Sequence, residues 1–267
     1  MSELSIAAIR AGLRTQCFGQ MVTYWPAVGS TNDELKRLAG EGAPEGTLAI
    51  ADEQWAGRGR LERTWLAPAG TSLLMSLLFR PAFLAPARAQ ALTMLCALAA
   101  ADAVRQVTGL EPQLKWPNDL VVDGKKLAGV LTELGFEEGA GDSTRLAWAV
   151  VGVGLNVNVD FAGWPELSGA ATSLMVLTGR PVARLPILHA YLENVEARYE
   201  ALRAGHSPHA EWQARLVTLG QAVVVSGPGS VYRGVAEGVD EAGALLVRRA
   251  GGERVRILAG DVNARGE

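Results

Sequence analysis

Along the chain the spacing of apolar positions changes several times, and the changes predict its elements. Residues 2–13 carry a short helical pattern, and 21–25 read as a strand. That strand leads into Gly29-Ser30-Thr31-Asn32-Asp33-Glu34, an N-cap cluster followed by Leu35 and Leu38 at helical spacing. Another short apolar strand occupies 47–51. A polar stretch rich in Gly and Arg then runs from 52 to 70 before a β-like run at 71–79; a loop of that length inside a compact domain is functional or mobile. Leu92, Leu95, Leu98 and Val104 share one face of a helix over 88–107 that stops near Thr108-Gly109. Residues 113–116 and 120–122 read as strands, Asp123-Gly124 is a two-residue hairpin signal, and 127–134 is the return strand. A long apolar strand over 146–159 is followed by helical patterns at 186–204 and 208–216. The last fifty residues switch to short strands around Gly227-Pro228-Gly229, residues 240–243 and Gly251-Gly252. This tail reads as a small β-barrel module, with a boundary near 218–221 that divides the chain into 1–218 and 219–267. Helices interspersed without regular βαβ alternation predict an α+β main domain rather than a Rossmann sheet.

Composition narrows the class. At 267 residues the chain can bury one sizeable core with a small appendage. Cys17 and Cys96 lie far apart and in no zinc spacing, which excludes a disulfide scaffold and a Cys-rich metal site. His189, His206 and His209 sit in no carboxylate-bearing zinc motif. The uncharged apolar runs 89–101 and 146–159 fall short of the ~20 residues of a membrane span. No basic flank and apolar core mark a leader at the N-terminus. The expectation is a soluble, intracellular protein with no membrane partner. Lys plus Arg number 25 against 28 Asp plus Glu, a net charge of −3, which argues against a nucleic-acid partner.

Three segments can carry chemistry. In Gln54-Trp55-Ala56-Gly57-Arg58-Gly59-Arg60, continuing through Arg63 and Trp65, glycines allow close backbone approach and the arginines offer forked donors for carboxylate or phosphate. An isolated Gly-Arg-Gly-Arg is equally what a solvated surface turn looks like, and neither the Walker nor the dinucleotide-binding spacing is present. In Lys115-Trp116-Pro117-Asn118-Asp119, the hairpin that follows carries Lys126, in Lys125-Lys126-Leu127-Ala128-Gly129, back to the same end of the sheet, joining a tryptophan, a carboxylate and a lysine. The alternative is a charged edge guarding a hairpin. In Gly152-Val153-Gly154-Leu155-Asn156 two glycines weaken a strand unless a ligand or another backbone comes close, or the strand simply bulges. Ser30-Thr31-Asn32 reads as a helix cap that can also present hydroxyl and amide groups to a ligand.

From about residue 20 onward these segments, in this order, resemble the catalytic core of the biotin protein ligase family. The resemblance implies a mixed β-sheet flanked by helices, like the class II aminoacyl-tRNA synthetases, with a small SH3-like β-barrel C-terminal domain. It implies that biotin and its adenylate are held by Ser30, Thr31, Asn32, Gln54, Gly57, Arg58, Gly59, Arg60, Trp65, Lys126, Gly129, Gly152 and Asn156. Lys126 and Arg58 take the catalytic roles; Asn118 and Asp119 form the nucleotide and Mg2+ side, with no dedicated protein metal cage. It further implies ATP and biotin as substrates, Mg2+, a biotin carboxyl carrier protein domain as acceptor, a cytoplasmic location and a possible homodimer. Only about twenty residues precede the pattern, which implies a form without the DNA-binding head that some relatives carry. The sequence departs from many relatives at Arg60-Leu61-Glu62-Arg63, where a glycine or another basic residue is usual. A lipoate or octanoate ligase shares the adenylate logic, and a binding module is the non-enzymatic alternative. Ser30, Thr31, Asn32 and Gln54 suit the amide-like edge of the biotin ring better than a long apolar chain.

Overall fold

The computed structural model describes residues 4–138, 144–227, 230–258 and 260–264. Its main sheet has seven strands in the order β1-β2-β3-β7-β6-β5-β4. These are β1 (Val22–Trp25), β2 (Leu48–Ala51), β3 (Ser72–Phe79), β4 (Gln113–Lys115), β5 (Asp119–Val122), β6 (Lys125–Glu138) and β7 (Thr144–Asn156). Strands β1 and β2 run parallel and the other pairs antiparallel, so the sheet is mixed. The β5–β6 turn places Asp123 and Gly124 at positive φ, as a two-residue hairpin with this twist requires.

Every residue of β3 is buried, because the sheet is covered on both faces there. On one face lie α1 (Ile6–Ala11), α3 (Gln90–Thr108) and α6 (Arg184–Arg203), around the large core that takes Leu73, Met75, Leu77 and Phe79 of β3. On the other face α2 (Thr31–Gly40) buries Leu35 and Ala39 against Leu78, Val150 and Ala49. Helix α2 covers only part of its face, and the uncovered part becomes the site.

Helix α3 is buried nearly all round, beyond the single face its leucines predict, because α6 packs on the side away from the sheet. The segment Pro86–Thr108 is long and apolar enough to cross a membrane, but most of it is buried inside the fold, as a core helix is. Strand β7 stops at Asn156 rather than 159, since Asn158 N–H turns to the Thr71 carbonyl at 2.6 Å. Two short helices, α4 (Pro165–Ser168) and α5 (Leu174–Thr178), follow without a periodic signal in the sequence. They are too short to show one; α5 is set by its Ser173 cap, which accepts from Val176 N–H at 3.2 Å.

The chain then passes through α6 and α7 (His209–Ala214) into a five-stranded antiparallel sheet, order β11-β10-β9-β8-β12. Its strands are β8 (Ala222–Gly227), β9 (Ser230–Val239), β10 (Leu245–Arg248), β11 (Arg254–Ile257) and β12 (Asp261–Ala264). The predicted turn at Pro228-Gly229 and the first residues of the predicted N-terminal helix lie outside the described residues. The two sheets are joined by specific bonds. Trp116, 1% exposed, donates its Nε1 to the Gly243 carbonyl at 2.9 Å and its backbone N–H to Thr218 Oγ1 at 3.0 Å. The connection seals the edge of β4 as well: Leu114 N–H bonds the Arg215 carbonyl at 3.0 Å.

Candidate functional site

A cavity of about 540 Å³ opens on the α2 face, between the main sheet and the five-stranded sheet. Its floor is made by register. Ser76, Gly152 and Leu131 form one cross-strand row through β3, β7 and β6, and Leu74, Gly154 and Gly129 form the next. Asn32 sits above the first row. Its Nδ2 donates to Glu133 Oε2 at 2.8 Å, and its Oδ1 accepts from Ser76 Oγ at 2.6 Å. A Cβ on Gly152 would lie 2.2 Å from Asn32 Oδ1. Trp65 sits above the second row, where a Cβ on Gly154 would lie 2.6 Å from its ring. The strand glycines therefore make room for two side chains of the same chain, not for a foreign backbone. The Trp65 indole Nε1 is buried without a hydrogen-bond partner.

Ser30 occupies the N-cap position of α2, yet its hydroxyl makes no capping bond. Gln54 caps the helix in its place, since its Oε1 accepts from Thr31 N–H at 2.7 Å and lies 3.0 Å from Thr31 Oγ1. The carboxamide thus ties the start of the arginine loop to the helix whose first residues edge the cavity, satisfying one orphan N–H. Ser30, Thr31, Asn32 and Gln54 all line the cavity. Asn156 lines it too, but its Nδ2 is spent on the Thr172 carbonyl at 3.1 Å.

The loop over residues 52–70 is closed at its base, where Gly70 N–H bonds the Asp52 carbonyl at 3.0 Å. Buried Arg184 donates to Asp52 Oδ1 at 2.6 Å and Tyr24 OH to Asp52 Oδ2 at 2.6 Å, which anchors that base. Within the loop Gly57 does not line the cavity; its carbonyl accepts from Trp65 N–H at 2.9 Å and closes the turn that carries Arg58, Gly59 and Arg60. Arg58 makes a two-pronged pair with Asp33 at 2.5 and 2.7 Å. The Arg58 hydrogen bonds chiefly hold the Asp33 carboxyl down at about 2. Arg60 reaches Asn118 Oδ1 at 3.4 Å, and burial pulls its guanidinium below the usual arginine range.

Opposite the loop, Lys126 Nζ stands 2.7 Å from Asp119 Oδ1 as an ion pair and 5.5 Å from the Trp65 ring centre, within cation–π reach. Asn118 Nδ2 donates to the Val130 carbonyl at 2.6 Å, which fixes its Oδ1 toward Arg60. The cavity therefore has an amide and hydroxyl end at α2, an aromatic wall at Trp65, and a cationic end where Lys126 and Arg60 flank Asp119.

The profile of the Biotin/lipoate A/B protein ligase family matches residues 24–156, and that of the Biotin protein ligase C terminal domain matches 218–264. Over 241 residues the chain is 36% identical to a biotin–acetyl-CoA-carboxylase ligase of Mycobacterium tuberculosis, covering 88% of this chain and 85% of that protein. It belongs to the biotin protein ligase family. A bifunctional ligase/repressor BirA of Bacillus spizizenii is 34% identical over 97% of this chain and 79% of its own length. A biotin protein ligase of Aquifex aeolicus, solved in complex with biotin and ATP, superposes with a TM-score of 0.76 at 28% identity, covering 92% of this chain and 99% of that one.

For a member of this ligase family, several residues in and around the cavity carry no motif of their own. Ser76 is a hydroxyl set between apolar neighbours in the middle of β3, and that misfit is the signal that would have found it. Glu133 is a carboxylate inside a strand, and it receives Lys36 Nζ at 2.6 Å as well as Asn32. Ser226, Asp261 and Val262 of the five-stranded sheet also line the ligase cavity, and nothing in their sequence context points there.

Proposed function

We propose that the chain activates biotin with ATP as biotinyl-5'-adenylate and then passes the biotinyl group to a lysine of a biotin carboxyl carrier domain. Membership in the ligase family supports this, and so does a cavity that joins an amide-reading end to a cationic end through an aromatic wall. In this reading the ring of biotin lies toward Ser30, Thr31 and Asn32, and its carboxylate lies toward Lys126. A carboxylate oxygen attacks the α-phosphorus of ATP and pyrophosphate leaves; the acceptor amine then attacks the acyl carbon and AMP leaves. Neither step needs a nucleophile from the protein. The first needs two anions held in line, and both need positive donors where negative charge develops. Lys126 supplies one by exchanging Asp119 for the substrate anion, and Arg60 supplies another beside Asn118.

Among the described residues no group of three or more His, Cys, Asp or Glu side chains could cage a metal. Of the two carboxylates that line the cavity, Asp119, beside Lys126, fits a Mg2+ ion that arrives on the nucleotide's phosphates and keeps several waters. When bound, the ion would neutralise phosphate charge. The Arg58–Asp33 pair makes Arg58 an anchor of the loop in this state, so Lys126 and Arg60 are cavity cations left to meet the substrate anions.

The test is exchange of labelled pyrophosphate into ATP with biotin, lipoate or octanoate supplied separately. Exchange with biotin is expected; exchange with lipoate alone overturns the substrate, and exchange with none overturns the enzyme. Lys126→Ala is expected to slow biotin-dependent exchange by about 10²-fold or more, the scale for removing a donor aimed at developing charge. An undiminished rate removes Lys126 from the mechanism.

A further inference from the structure

The turn over residues 57–65 is a small braced unit. Gly59 N–H bonds the Arg63 carbonyl at 2.6 Å, Trp65 N–H bonds the Gly57 carbonyl at 2.9 Å, and Arg58 bridges Thr64 between them. Its tip residue Leu61 stands exposed, so apolar burial does not hold the tip down. Charge holds it instead, at both ends. Arg58 pairs with Asp33 on α2, and Arg63 pairs with Asp261, the first residue of β12 in the other sheet. Between them Arg60 Nη1 donates to the carbonyl of Gly260 at 3.4 Å. Trp65, which walls the cavity, lies just past Arg63 on the same braced turn.

We propose that Asp261 is a positioning residue: by holding Arg63 it keeps the turn, and Trp65 with it, seated over Gly154. The C-terminal sheet thereby sets how long an activated intermediate stays enclosed. The part concerning the intermediate rests on the function proposed above; the clasp itself does not. Water hydrolyses a mixed acyl-phosphate anhydride, so a clasp that delays opening protects the intermediate until an amine arrives. Arg63 is 66% exposed and Asp261 27% in their side chains, so the pair has the strength of a surface ion pair. Such a pair changes an opening equilibrium by about twofold to fivefold and is weakened by salt.

The clasp is tested on the ligand-free full chain by hydrogen exchange at the Gly59 and Trp65 amides. Asp261→Asn and Arg63→Gln are each expected to speed exchange there by about twofold to fivefold. The charge swap Arg63→Asp with Asp261→Arg restores protection, and wild type in about 0.5 M salt approaches the Asn variant, because screening at that strength shortens the reach of surface charge; if the swap does not fold, the salt arm carries the same test. Unchanged exchange in Asp261→Asn overturns the proposal, as does a uniform rise across β8 to β12, which would make Asp261 merely structural. In the loaded enzyme, escape of biotinyl-adenylate is expected to quicken by the same factor in Asp261→Asn. Unaltered escape alongside faster exchange overturns the protective role. If wild type forms no adenylate while the exchange result holds, the proposed function fails and the clasp stands.

Discussion

Replacing Gly152 by alanine probes how the site floor is built. The new Cβ would lie 2.2 Å from Asn32 Oδ1, whereas carbon and oxygen rest at about 3.5 Å, so the carboxamide would have to retreat by roughly 1.3 Å. A retreat of that size stretches the 2.6 Å bond from Ser76 out of hydrogen-bond range and pulls Nδ2 from Glu133, now 2.8 Å away. Ser76 keeps its bond to Thr31 Oγ1 at 2.8 Å, but the Asn32 carboxamide is buried and loses its partners at about 1–3 kcal/mol, and the overpacking adds a similar amount. With partial relaxation the expected loss is about 2–4 kcal/mol in urea unfolding. Biotin-dependent pyrophosphate exchange should fall with it, because Thr31 and Asn32 lead the helix that edges the cavity. The decisive arm is a double-mutant cycle with Asn32→Ala, which removes the obstructing atoms. In that background Gly152→Ala should cost less than about 1 kcal/mol, giving a large coupling energy, while activity stays low. If the single variant is as stable as wild type, or the coupling is near zero, Gly152 is not needed to admit Asn32 and the floor is held by something else.

Other outcomes follow from single contacts. Asp33 is 43% exposed in its side chain, so its pair with Arg58 is worth no more than about 1 kcal/mol despite the carboxyl being held near 2. Because the folded value is depressed, the stabilisation is complete above the ordinary value of 3.8 and vanishes as pH falls through about 2. Denaturation of Asp33→Asn and wild type should therefore differ slightly at about pH 7 and converge near pH 2; a constant gap refutes the assignment. Trp116→Phe removes the indole donor to the buried Gly243 carbonyl, at an expected cost of about 1–3 kcal/mol by urea melts. A change below about 0.5 kcal/mol would mean that this bond does not join the two sheets.

Much of the architecture was legible in the order of residues. The apolar spacing located the main strands, the Asp123-Gly124 turn and helices α2, α3, α6 and α7, because those signals reside within about ten or twenty residues. Four motifs in order pointed to a ligase core, and every predicted site residue except Gly57 lines one cavity. What each residue does there was a different matter. Gln54 reads as a ligand contact in the sequence, and in the fold it lines the cavity and also caps α2; Arg58 reads as a forked donor for an anion, and in the fold it lines the cavity and pairs with Asp33. The glycines of β7 read as openings for a ligand or another backbone, or as a bulge, and in the fold they admit the side chains of Asn32 and Trp65.

By itself, then, the sequence determined the longer elements, the chemical types available and the family, since periodicity and motifs are local properties of the chain. Only the tertiary structure decided which partner each polar group took. Asp261 meets Arg63 from nearly two hundred residues away, Ser76 meets Asn32 through strand register, and Trp116 meets Gly243 across two sheets. Such pairings depend on register and packing summed over the whole fold, and a one-residue slip in β3 would turn Ser76 to the opposite face and away from Asn32.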